Sequence, residues 1–118
     1  MGKTVIFVGA VASPDIDVPQ ILALGAFNGT SKILTMDKEE NMANNQRADE
    51  IFKKIAASHK NVYYVPIQDI FLRDGGELTR NGVPLFYDYS HVTLSAASTI
   101  LAPEIETRLK KAMARTRN

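Results

Sequence analysis

Cysteine is absent from the 118 residues, which excludes disulfides, thiolate nucleophiles and cysteine metal sites. That absence carries no information about redox compartment. No apolar run approaches the roughly 20 residues of a membrane span. Met1-Gly2-Lys3 leads straight into a strand pattern, and the first residues do not form a signal peptide. Charge of one sign is also lacking: 14 Lys and Arg against 13 Asp and Glu leave a net charge of +1, no electrostatic case for nucleic acid. The basic residues cluster only in "RLKKAMARTRN", which reads as a solvated last helical turn plus a tail that complements the negative helix end. Repeats and linkers are missing too.

What is present is ordinary globular sequence, 45% apolar and 23% charged, enough for one core and one domain over residues 1–118. Thr4 to Val11, "TVIFVGAV", is a continuous β-branched apolar run, the pattern of a parallel strand buried on both faces. Pro14 and Pro19 punctuate the next segment, and Ile21 to Phe27 suits a short helix ended by Asn28-Gly29. Ser31 to Met36 is weakly extended. From about Glu39 to His59 the pattern is helical: Ala48, Ile51, Phe52, Ile55 and Ala56 share a stripe, and Asp37 is a plausible N-cap.

Val62 to Ile67, "VYYVPI", reads as a second buried strand, and Asn81-Gly82 as a two-residue hairpin turn between short arms. The last helix spans roughly Leu94 to Met113, with Ala97, Ile100, Leu101, Ile105 and Leu109 on its apolar stripe. Pro103 lies inside it and predicts a kink or split, unless it opens a second helix. Strand, helix, strand, loop, helix is an α/β order. Two parallel strands alone would leave both sheet edges open.

The chemistry sits in "YDYSHVTLSAA", residues 87–97, where Asp88 precedes His91 by three positions just before a helix. Within one loop an Asp so placed can turn back and accept a hydrogen bond from the imidazole. That bond fixes the tautomer and leaves the other ring nitrogen as a general base. Taken alone, the spacing equally suits a turn carboxylate and a polar residue near a helix start. No other cluster competes. Gly2-Lys3-Thr4 resembles the end of a phosphate loop but precedes a strand instead of following one. His59 ends a helix without companions for a metal. Asp15 and Asp17 read as turn carboxylates, with a substrate-side role open. Tyr63, Tyr64, Phe86 and Tyr87 read as packing residues, while Tyr87 or Tyr89 could line an acyl or sugar pocket.

The 87–97 segment resembles the last block of the SGNH hydrolase superfamily, and more specifically the SGNH domain fused to membrane O-acyltransferases of the acyltransferase-3 type. There the block reads approximately Tyr-Asp-Asp-x-His-Leu-Ser-x-x-Gly-Ala. Tyr87, Asp88, His91 and Ala96 or Ala97 echo it, with Val92-Thr93 for Leu-Ser and Ser95 or Ala96 where Gly is usual. "VIFVGAVASPDIDVPQILA" is similar to the family's strand, Pro-containing loop and Asp-Val-Pro segment. Arg47 stands where the family carries a helical Arg. "NVYYVPIQDIFL" is similar to its next strand and loop, and "GVPLFYD" to the approach to the last block. The cysteine pair frequent before that approach is missing.

The resemblance implies a partial flavodoxin-like, three-layer α/β/α domain with a parallel sheet. It implies a serine esterase or O-acetyltransferase acting on acetyl esters of cell-surface polysaccharide, without a cofactor, in a periplasmic or extracellular setting. Asp88 and His91 then become the catalytic acid–base pair. The nucleophile of the family lies in a Gly-Asp-Ser block, with oxyanion donors from that Ser, a Gly and an Asn. The chain has neither Gly-Asp-Ser nor Gly-x-Asn-Asp. Ser13 follows a strand but lacks the tight Gly turn of such nucleophiles, and Ser90 reads as a loop or cap residue. The chain therefore resembles the C-terminal half of an SGNH domain, inactive alone. Its Thr4–Val11 strand awaits either the missing N-terminal half or a homo-oligomer. The competing expectation is a non-catalytic α/β interaction module that keeps the block without the nucleophile.

Overall fold

A computed structural model describes residues 2–29 and 34–116 of the chain. Two short strands form its parallel sheet: β1 (Val5–Val8) beside β2 (Val62–Val65), in register from Val5↔Val62 to Val8↔Val65. Val5 N–H to Asn61 O (2.8 Å) and Gly9 N–H to Val65 O (2.9 Å) extend the ladder at either end. Both strands are shorter than the apolar runs that encode them. A Cβ at Gly9 would lie 2.7 Å from Tyr64 Oη, so a larger residue would displace the hydroxyl that donates to Asp49 at 2.7 Å.

Between the strands run α1 (Val18–Phe27) and α2 (Lys38–Ser58). Asp17 caps α1 by accepting from Gln20 N–H, with Pro19 in the first turn where its missing N–H does no harm. Asp37 caps α2 by accepting from Glu40 N–H at 2.8 Å, as the pattern suggested. Of the extended segment expected over Ser31 to Met36, residues 31–33 lie outside the described residues. Its remainder pairs antiparallel with the chain after β2, Met36 N–H to Gly76 O and Leu78 N–H to Leu34 O.

Helix α2 packs on one face of the sheet through Phe52, which lies tilted against Phe7 at 5.0 Å and stacks on Tyr64 at 5.5 Å between ring centres. Side chains alternate along a strand, so Tyr63 and Val65 face away from α2. Val65 is buried in the core, against which Ile105 and Leu109 pack. The core continues below the strands in Ile67, Ile70, Phe71, Leu72, Leu78, Leu85 and Phe86, with Phe71 and Phe86 edge to face at 5.5 Å.

The hairpin is as predicted. β3 (Thr79–Arg80) and β4 (Val83–Pro84) are antiparallel, and Asn81 and Gly82 both take positive φ, 53° and 76°. The last helix is not split at Pro103 but runs on with a widened turn just ahead of it. α3 (Leu94–Ala96) passes through a π turn, Ala97–Leu101, into α4 (Ala102–Thr116). Ala102 N–H bonds to Ala97 O across that turn. Pro103, second in α4, has no N–H to give and crowds the turn before it; the wider π turn accommodates both. Arg108 then clasps α4 to the loop after β2, bidentate to Asp69 (2.6 and 2.7 Å) and to Pro66 O (2.8 Å).

Two expectations of burial fail, and for one reason. β1 is not buried on both faces: Val5, Ile6 and Val8 are 38%, 42% and 47% exposed. The stripe of α2 contains no buried residue, and Ile51 is exposed. A parallel strand is covered by helices and by neighbours on both edges; β1 has β2 on one edge and, among the described residues, no strand on the other. The radius of gyration is 16.7 Å and the extents are 59 × 26 × 22 Å, against about 13.5 Å for a compact chain of this length. The molecule is a mixed α/β unit in which, among the described residues, neither outer edge of the two-stranded parallel sheet has a neighbouring strand, and the β1 edge carries exposed Val5, Ile6 and Val8.

Candidate active site

The loop that carries Asp88 and His91 is pinned at its base. Phe86 and Val92 form an antiparallel bridge, Tyr87 N–H bonds to His91 O at 3.0 Å, and Thr93 N–H to Leu85 O at 2.9 Å. Thr93 also starts α3: its Oγ1 accepts from Ala96 N–H (3.2 Å) and donates toward Pro84 O (3.1 Å). Phe86, fully buried, roots the loop in the core. Residues 87–91 are thus a tight excursion between the hairpin and the helix.

Inside that excursion one carboxylate organises the rest. Asp88 Oδ1 accepts the backbone N–H groups of Ser90 (2.8 Å) and His91 (2.6 Å), while Oδ2 lies 2.7 Å from His91 Nδ1. The three-residue spacing is what lets a short side chain reach both its own turn and the imidazole. The Ser90 N–H first, then the His91 N–H and ring, hold the Asp88 carboxyl below its usual range. Accepting at Nδ1, a carboxylate selects the Nδ1–H tautomer and leaves the free lone pair on Nε2. The His91 side chain is 63% exposed against 27% for Asp88, and the imidazole lies nearly flat on the Tyr87 ring, 5.5 Å between centres.

Both nearby serine hydroxyls contact groups other than Nε2. Ser90 Oγ is 3.3 Å from Nδ1, the nitrogen already facing the carboxylate. Ser13 Oγ donates to Tyr89 O at 3.0 Å. Arg47 is exposed on α2, Tyr89 is exposed, and Tyr63 and Tyr64 belong to the sheet. His59 bonds to Ser58 Oγ and Ile55 O at the end of α2. Asp17 is the α1 cap, and Asp15 takes a positive φ of 59°. Among the described residues, no group of three or more acidic or imidazole side chains could hold a metal, and no helix is long and apolar enough to cross a membrane.

Residues 1–107 match the family described as the SGNH domain fused to AT3 domains. The chain belongs to that family. No curated protein and no solved structure matches it. As an SGNH domain the chain is of a hydrolase or acyltransferase type, and the resemblance built from its individual segments holds over nearly its whole length. Sequence reasoning did not find the partners that shape the SGNH loop: the two backbone N–H groups on Asp88, the Tyr87 ring under His91, and the contact of Ser13 with Tyr89. Only the Asp-x-x-His spacing hinted at the first; the others depend on long-range packing that leaves no local signature.

Proposed function

We propose that this chain is the acid–base half of an SGNH-type serine esterase or O-acetyltransferase domain. Its substrate class is the acetyl ester of a cell-surface polysaccharide, and its setting periplasmic or extracellular. The observation that carries the reading is the Asp88–His91 pair, with Nδ1 2.7 Å from the carboxylate and the imidazole 63% exposed. In the complete domain a serine supplied from elsewhere attacks the acetyl carbonyl. Its proton passes to His91 Nε2, and Asp88 holds the ring and balances the imidazolium. The same proton then returns to the departing oxygen.

The bare edge of β1 supports the partial character of the unit. A strand pairing there would begin to complete a three-layer α/β/α domain, and the catalytic loop would then lie near the carboxyl ends of the strands. Where no such half is present, a second copy covers the strand. The engagement of Ser13 and Ser90 elsewhere favours a second reading, a non-catalytic interaction module that retains the block without the chemistry.

One experiment separates them. Alone, the chain hydrolyses an aryl acetate no faster than its His91→Ala variant does. The coding sequence upstream, or a neighbouring gene, is then searched for a Gly-Asp-Ser block, and the segment bearing it is produced with the chain. Esterase activity that His91→Ala lowers by several orders of magnitude is expected, removal of the base in a serine protease being worth about 10⁶. Absence of any such block, or activity indifferent to His91, selects the interaction module.

A further inference from the structure

We propose that Ser13 is a positioning residue for the Asp88–His91 pair, acting through the Tyr89–Ser90 peptide; the proposal rests on Asp88 and His91 being an acid–base pair. Loop 87–91 is fixed at its base and its tip is exposed; within the loop the Tyr89–Ser90 peptide is held only on its N–H side, by Asp88 Oδ1. Two groups from the loop after β1 hold its oxygen side. Ser13 Oγ donates to Tyr89 O at 3.0 Å, and Asp15 N–H donates to the same oxygen at 3.1 Å.

The carbonyl of Tyr89 and the N–H of Ser90 belong to one planar peptide unit and point in opposite directions. Holding the oxygen on one side therefore aims the N–H on the other. That N–H is the one Asp88 Oδ1 accepts at 2.8 Å. The orientation of Asp88, and with it the tautomer of His91, follows from a grip applied 75 residues away in sequence, the difference between positions 88 and 13.

The grip is itself braced. Ser13 N–H donates to Asn41 Oδ1 at 2.8 Å, and Asn41 O accepts from Gln68 Nε2 at 2.7 Å. Gln68, only 9% exposed, is the one buried polar residue of the core among the described residues. A chain of hydrogen bonds thus runs from the segment after β2, through the first turns of α2, to the loop after β1 and on to Tyr89. Asp15 shows the same purpose in its backbone. A φ of 59° is uncommon for a residue with a side chain, and such conformations persist where surrounding structure over-determines them. Here it belongs to the residue whose N–H meets Tyr89 O.

The two histidines make the test direct. Nitrogen-detected ring spectra of the isolated chain report the tautomer of His91, with His59 as internal control. In the native chain His91 is a single Nδ1–H tautomer and the Ser90 amide is protected from exchange. Asp88→Asn, which presents a donor to Nδ1, shifts His91 toward the Nε2–H form. Ser13→Ala leaves the circular dichroism and His59 unchanged, spreads His91 over both tautomers, and speeds Ser90 amide exchange by about threefold to tenfold, the worth of one hydrogen bond. Ser13→Thr keeps the hydroxyl and restores the native spectrum. If Asp88→Asn leaves the His91 tautomer as it was, the acid–base reading itself fails. If Asp88→Asn shifts the tautomer but Ser13→Ala does not, or if the Ser90 amide is unprotected in the native chain, the positioning role is wrong and the pair stands.

Discussion

Val8→Thr exchanges one methyl group for a hydroxyl of nearly the same shape, on the side of β1 that faces away from α2. Thr is a good strand residue, and Val8 is 47% exposed, so in the free chain the hydroxyl can meet water and stability changes by less than about 1 kcal/mol. Covering the strand changes the balance. Fully burying a Val or Ile side chain contributes about 1.5–3 kcal/mol. Val5, Ile6 and Val8 are still 38–47% exposed, so completing their burial contributes roughly 2–4 kcal/mol to association by that scale. The introduced hydroxyl, desolvated without a partner, removes about 1–3 kcal/mol, a weakening of roughly 5- to 150-fold. The assay is sedimentation velocity over a dilution series, with urea unfolding of both proteins in parallel. The native chain is expected to form a dimer or larger assembly that Val8→Thr dissociates at matched concentration and near-equal stability. A folded native monomer at high micromolar concentration, with β1 amides open to exchange, would refute the claim that this strand needs a neighbour.

Two further outcomes follow from the loop that carries Asp88 and His91. Thr93→Ala removes the cap on Ala96 N–H and the bond toward Pro84 O, and is expected to lower unfolding free energy by about 1–2 kcal/mol in chemical denaturation. Acid should open the loop late. The Asp88 carboxyl is held below the ordinary value of 3.8 by the Ser90 and His91 N–H groups and the imidazole. Because the folded value is the lower one, these bonds stabilise the fold fully above the unfolded value and are lost as pH falls through the folded one. The Ser90 and His91 amide shifts should therefore titrate with a midpoint under 3.8, and Asp88→Asn should abolish that step.

Much of this was legible in the sequence because local rules applied. Asp37 is a cap, Asn81-Gly82 makes the hairpin, Pro103 stands beside an irregular turn of the last helix, and Asp88 reaches His91 because three residues is the span of an Asx-type turn. The failures share a different cause. The apolar run Thr4–Val11 and the stripe Ala48–Ala56 report what these elements are built to bury, and burial needs a partner that the described residues do not include. Composition encodes the demand for a neighbour, not its presence. The contact of Ser13 with Tyr89 was invisible because a serine after a strand looks the same whether it attacks, caps or holds.

The π turn at Ala97–Leu101 gives the last helix a reserve of length in one stretch and none in the next. A π turn holds one residue more than the α-helical turn it replaces, so a single-residue deletion inside it would let the chain relax into a regular α-helix with α4 left close to its present face. Arg108 would stay near Asp69 and Pro66 O, and Ile105 and Leu109 near the core. The regular helix beyond has no such slack. A deletion between Ala102 and Arg108 would rotate everything after it by about 100° and draw it back by about 1.5 Å. The guanidinium would then swing off Asp69, and the clasp that seats α4 behind the 87–91 loop would be lost.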